Sequence, residues 1–276
     1  MELTESQTGD AVEGGGVPAG PNQERTIALF LKASGRRNHT VPIRRSFLQL
    51  PGPGARGPAP MQVLVSRKQE RPLDAYLLFA AVSTGEDFSV TEWSTSWARS
   101  LGIFEEKTGG AAVSRAWRVL RELRIVETSR GEGRRTRVTK LKEDGTGARY
   151  TPPGATGSGV SPERYFQLPF AYWEDGLNTK LSLPGKAMLL IALSLRAFEF
   201  SLVHAQICDG YGINKQTVAK GINDLIEHKV IDVSGQQWYE TLRTRSGVSQ
   251  RPLYQFADRF VQPGISRITQ PKNSKH

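Results

Sequence analysis

Two segments carry side chains whose type and spacing suit the reading of a base-paired surface. In the first, Arg115, Arg118 and Arg121 recur at every third position, with Ser114 beside them. In the second, Asn214, Lys215, Gln216 and Thr217 are followed by Lys220. A guanidinium can bind guanine O6 and N7 in a bidentate manner, glutamine pairs with adenine, lysine with guanine, and the threonine methyl with that of thymine. At 100° per residue, Val113, Ala116, Trp117, Leu120 and Leu123 share one side of a helix and the three arginines the other. Val218, Ile222, Leu225 and Ile226 form the matching apolar side of the second segment, where Asn214 is placed to cap the first turn. Gln216 and Thr217 are the candidate base readers, and Lys215, Lys220 and Arg243 the candidate phosphate contacts.

The elements that must position these residues occur twice. Residues 113–127, VSRAWRVLRELRIVE, lie over residues 218–232, VAKGINDLIEHKVID, at a constant offset of 105 (218 against 113). Both end in a basic residue, two β-branched residues and an acid, the pattern of a helix running into a strand. Upstream, residues 96–103 and 205–213 each close on Gly before Ile. Gly102 and Gly212 are placed to end one helix in a left-handed turn, which makes a helix, a turn and a second amphipathic helix in each half. The first turn, 104–110, is the longer. Downstream, Gly131 and Gly133 mark one hairpin, and Ser234-Gly235 with Ser246-Gly247 mark turns of the other. Arg130, Arg134, Arg135, Arg137 and Lys140 fall in the first hairpin, Arg243, Arg245 and Arg251 in the second, so both are expected to be electrostatic contact surfaces.

On these residues both halves resemble winged helix-turn-helix domains. The second half adds residues 165–177, YFQLPFAYWEDGL, and 181–193, LSLPGKAMLLIAL, which resemble the start of such domains in plasmid and phage replication proteins and related transcriptional regulators. There a short strand reaching a proline precedes a helix that opens at a serine before a Lys-Ala pair. The resemblance covers residues 161–256 well and 71–142 less well, and it implies DNA binding without giving its purpose.

Charge agrees with a polyanionic partner. The 276 residues carry 37 Lys plus Arg against 27 Asp plus Glu, a net charge of +10. The first 24 residues hold five acids and no base, so the remainder carries +15. This acidic, Gly-rich stretch has too few apolar groups to offset the entropy of ordering and is expected to be disordered. Residues 25–70 form a basic arm, in which 27–31 and 61–65 read as strands or extended segments and Arg36, Arg37, Arg44 and Arg45 are placed to follow a phosphate backbone or to form a solvated linker. A first winged domain then spans 71–143, a Gly/Pro/Ser-rich linker 144–162, a second winged domain 163–260 and a basic tail 261–276. The expected fold class is therefore α+β and mainly helical, two winged helix-turn-helix domains in tandem behind the acidic leader.

Other chemistries find no home. No phosphate loop of the Gly-x-x-x-x-Gly-Lys-Ser/Thr type occurs, and the four histidines are not paired at metal-ligand spacing, so the sequence predicts no enzyme, no cofactor and no metal. His204 is expected to pack beside the second helix-turn-helix. A single cysteine, Cys208, offers no internal disulfide, and no signal peptide or membrane span is visible, which fits a cytoplasmic, nucleoid-associated protein. Stacking on single-stranded bases is a weaker use of the tryptophans than packing, and Trp93, Trp97 and Trp117 are assigned to the core.

The reading is a double-stranded-DNA-binding protein, monomer or homodimer, with no membrane partner. It acts as a transcriptional regulator. The alternatives are a plasmid or phage replication initiator that binds origin repeats, with the host replication or transcription machinery as further partners, and a winged-helix protein-interaction scaffold.

Overall fold

The computed structural model describes residues 20–49, 57–154, 164–242 and 244–265. Over these residues the fold is mixed α/β, 44% helical and 21% strand. Most of the acidic leader, the loop 50–56, part of the linker, Arg243 and the end of the basic tail lie outside the described residues.

One succession of elements occurs twice. In the first half, helix α3 (Glu70–Val82) leads to β2 (Ser89–Glu92), α4 (Ser94–Ser100), α5 (Gly109–Glu122), β3 (Val126–Arg130) and β4 (Thr136–Lys140). In the second, α8 (Leu183–Leu195) leads to β6 (Glu199–Phe200), α9 (His204–Tyr211), α10 (Lys215–Glu227), β7 (Ile231–Glu240) and β8 (Val248–Phe256). The strands form antiparallel sheets ordered β2-β4-β3 and β6-β8-β7, so in each half the last strand is central. Both turn glycines adopt the left-handed conformation, Gly102 at φ 68° and Gly212 at φ 64°.

Local chemistry sets the helix ends. Asn214 accepts from the Thr217 N–H at 2.8 Å, and Ser182 caps α8, where a proline also sits in the first turn. Helix α8 is apolar all round and is accordingly buried along its length. Trp97 and Trp117 pack edge to face at 5.1 Å in the first half, whereas Trp93 is 48% exposed and does not join them.

The basic segment is not an arm. Residues 27–31 belong to α1 (Gln23–Ala33) and residues 61–65 to α2 (Pro60–Ser66). A five-residue apolar run has no period long enough to separate strand from helix, and here the wider spacing of Ile27, Phe30 and Leu31 decides for helix. Phe30 of α1 stacks on Trp97 at 4.9 Å. Helix α1 also begins two residues inside the stretch expected to be disordered.

Two arginines of this segment are likewise used internally. Arg44 is 1% exposed and its Nη1 lies 2.6 Å from Glu143 Oε2. Arg36 donates through Nε to the Ala81 carbonyl at 2.7 Å and through Nη2 to that of Ala80 at 3.0 Å. Of the other two arginines expected along a phosphate backbone, Arg37 is exposed and Arg45 half-buried; Arg25 and Arg67 of the same segment are exposed as well. A guanidinium can close a fold as readily as it can bind phosphate, and composition does not separate the two uses.

Two devices join the halves. Strand β1 (Thr40–Arg44) pairs antiparallel with β5 (Tyr165–Pro169), from Thr40 opposite Pro169 to Arg44 opposite Tyr165. After β5 come two short helices, α6 (Ala171–Glu174) and α7 (Leu177–Lys180). The second device is ionic: Lys186 of α8, 2% exposed, places Nζ 2.8 Å from both Glu70 Oε1 and Asp74 Oδ2 of α3. A single hydrophobic core takes residues from both halves, from Ile27 to Phe260.

Burial pushes the Asp74 carboxyl up to about 6, outweighing the attraction of Lys186 that would lower it. A raised carboxylate pKa in the folded state adds stability that is full below about pH 4 and is lost as the pH rises through 6. The stability difference between the wild type and Asp74→Asn should therefore shift toward the wild type by about 1 kcal/mol on going from about pH 7 to about pH 5. Urea unfolding of both proteins at the two pH values measures it, and an unchanged difference would remove this role for Asp74.

Candidate nucleic-acid interface

The third helix of each repeat, α5 or α10, packs by one side and is exposed on the other. On α5, Ala112, Val113, Ala116, Trp117 and Leu120 are buried, while Ser114, Arg115, Arg118 and Arg121 are exposed. Leu123, assigned to the apolar side, is only half-buried. On α10, Val218, Ile222 and Leu225 are buried and Lys215, Gln216 and Lys220 are exposed. Thr217 is half-buried, and Ile226, expected to point inward, is 37% exposed.

The hairpins stand beside these helices. Strands β3 and β4 pair from Val126 opposite Lys140 to Arg130 opposite Thr136, which puts Arg134 and Arg135 in the connecting turn. Arg130 and Arg134 are exposed. Arg135 pairs with Glu132 at 3.0 Å, and Arg137 pairs with Asp87. Hydrogen bonds from Ser89, then Arg137, hold the Asp87 carboxyl below its usual range. Both pairs are at the surface, where such contacts contribute little to stability.

Lys140 does not belong to this surface. It is 2% exposed, with Nζ 3.2 Å from Glu143 Oε1 and 4.1 Å from the centre of the Tyr150 ring. Residues 140–151, the end of the hairpin and the start of the expected linker, thus fold back onto β1, with Leu141 bridging Arg149.

The second hairpin is longer. Ser234-Gly235 is not a turn within it but a shift of register inside β7, between Val233 opposite Tyr254 and Gly235 opposite Leu253. Arg245 is exposed beside the turn, and Arg251 is half-buried, its Nε donating to Gln237 Oε1 at 2.9 Å and its guanidinium 5.3 Å from the Tyr239 ring centre. Trp238 is 64% exposed and Leu242 fully so. His204, expected to pack, is exposed at the start of α9.

The offset of 105 exposes a difference between the two helices. Where α10 has Lys215, Gln216 and Thr217, α5 has Gly110, Ala111 and Ala112. The first turn of α5 therefore carries no polar side chain, and the exposed cations of this helix are arginines further along. Asn214 is partly committed, its side-chain oxygen serving as the helix cap. Asn223, not singled out in the sequence, is exposed seven residues after Gln216 and so lies two turns along the same face. That spacing was the signal available.

Among the described residues, no three His, Cys, Asp or Glu side chains are grouped to hold a metal ion, and no helix is long and apolar enough to cross a membrane. Comparison with family models, with curated proteins and with solved structures found no match.

Proposed function

We propose that the chain is a non-enzymatic, sequence-specific double-stranded-DNA-binding protein whose two repeats are winged helix-turn-helix domains in tandem. The observation that carries this reading is the repeated order of helix, strand, two helices and a hairpin, with an exposed third helix beside the hairpin in each half. In such a domain the third helix lies in the major groove and the hairpin flanks it on the backbone. The halves then divide the work. Helix α10 reads bases through Gln216 and Thr217, assisted by Asn223, with Lys215 and Lys220 on phosphates. Helix α5 grips the backbone through Arg115, Arg118 and Arg121, with Arg130 and Arg134 of its hairpin.

The purpose we assign is transcriptional regulation in the cytoplasm, at the nucleoid. Replication initiation at origin repeats is the second reading, favoured by the β1–β5 pairing: halves held by a shared sheet suit an extended site of fixed spacing.

Fragments of the source genome that the protein retains at physiological salt, once sequenced, separate the two. A single site beside a promoter supports regulation, whereas direct repeats beside an AT-rich segment support initiation. Gln216→Ala is expected to cost about 1–3 kcal/mol at the preferred site and to leave nonspecific binding unchanged. Full retention of sequence preference by that variant would overturn the assignment of α10.

A further inference from the structure

The first half reaches the helix-turn-helix of the second through α2. The Gln62 side chain of α2 lies where a Cβ on Gly212 would be, against the turn that precedes α10. Beyond it, the corner between α2 and α3 and the start of α10 enclose a cleft of about 510 Å³. Lys68 and Glu70 line one side, and Asn214, Thr217 and Lys220 the other. Glu70 is drawn to Lys186, which offsets its charge. Lys68 and Lys220 are exposed and form no ion pair among the described residues.

Lys68 also holds an unfavourable backbone conformation. It is left-handed, at φ 54°, just after the end of α2, with its N–H on the Val65 carbonyl at 3.1 Å and the Gln69 N–H on that of Leu64 at 2.8 Å. This is the helix-ending motif in which glycine is the usual residue. A lysine there gains from the helix dipole, as Arg124 and Lys229 do at the ends of α5 and α10. Lys68 differs from them in lining a cleft whose opposite side is a helix of the other half.

We propose that Lys68 binds a backbone phosphate of the same duplex that α10 engages, so that the DNA site of the second half is completed by a residue of the first. The inference rests on the DNA-binding reading above. A flexible lysine acts on phosphate as a mobile point charge and carries no sequence information. The contact therefore adds affinity, and its place relative to α10 is fixed by the seam between Lys186, Glu70 and Asp74.

The test uses the full chain and a labelled duplex carrying the preferred site, titrated over a series of salt concentrations. Lys68→Gly should lower the magnitude of the salt slope by about 0.9 and the affinity at about 0.1 M salt by about 8-fold, the share of one phosphate. Sequence preference should be unchanged, and relief of the left-handed strain should leave the melting temperature unchanged or raise it by about 2 °C. Lys68→Glu should weaken binding further. Lys32→Ala, which removes an exposed lysine of α1 that does not line the cleft, serves as the control. A Lys68→Gly slope equal to that of the wild type overturns the inference and leaves the DNA reading standing. A loss of sequence preference in Lys68→Gly overturns it too, by showing that the residue acts through the placement of α10. A flat salt dependence of the wild type overturns both.

Discussion

The affinity of the wild type for duplex DNA should fall by a factor of about 10³–10⁵ between about 50 and about 200 mM salt. Arg115, Arg118, Arg121, Arg130 and Arg134 in the first half, with Lys215, Lys220 and Arg245 in the second, are exposed and form no ion pair among the described residues. If each of these and Lys68 neutralises one phosphate, the slope of log affinity against log salt is about −8. Replacing Arg115, Arg118 and Arg121 together by alanine should reduce the magnitude of that slope by about 3. The buried side of α5 is untouched by these changes, so the fold should persist, which circular dichroism can verify. A shallow slope in the wild type would favour the scaffold reading, in which the exposed helices meet protein surfaces.

Glu143→Ala should destabilise the protein by about 3–5 kcal/mol. Glu143 is fully buried between Arg44 and Lys140, themselves 1% and 2% exposed, and its carboxylate pairs with each of them. The Tyr150 ring lies 4.9 Å from the Arg44 guanidinium and cannot replace a carboxylate. Removing Glu143 leaves the buried Lys140 ammonium without its carboxylate and takes a buried partner from Arg44, the costly way to break such a cluster. In thermal unfolding this should appear as a melting temperature lower by about 6–15 °C. Replacing Arg44, Lys140 and Glu143 together with apolar residues of similar volume should recover much of the loss. An unchanged melting temperature in Glu143→Ala would mean that this cluster does not hold the fold. The consequence for DNA binding is indirect: the cluster ties residues 140–151 to β1, and β1 is the strand that pairs with the second half. Loosening it should therefore weaken binding to an extended site more than binding to a half-site.

The contrast between Lys140 and Arg134 shows where sequence reasoning stops. Both are basic residues of the first hairpin, six positions apart, and both looked like contacts for DNA. Arg134 is exposed, whereas Lys140 is buried against Glu143 and the Tyr150 ring. Arg134 sits in the connecting turn and Lys140 at the end of β4, and the face which that strand end presents is settled only by the register of the sheet.

The sequence by itself determined the elements whose causes are local. The caps at Asn214 and Ser182, the left-handed glycines at 102 and 212, the apolar sides of α5 and α10 and the two hairpins arise from interactions within a few residues. The exposed positions of Arg115, Arg118, Arg121, Lys215, Gln216 and Lys220 follow from the same helical period. The tertiary structure decided what depends on partners distant along the chain. It made α1 and α2 part of the fold, turned Arg36 and Arg44 inward, paired β1 with β5, and set Lys68 across a cleft from Lys220. A charge run reads alike whether it meets solvent, a nucleic acid or a buried carboxylate, because only the folded chain supplies the partner and the low dielectric that fix its role.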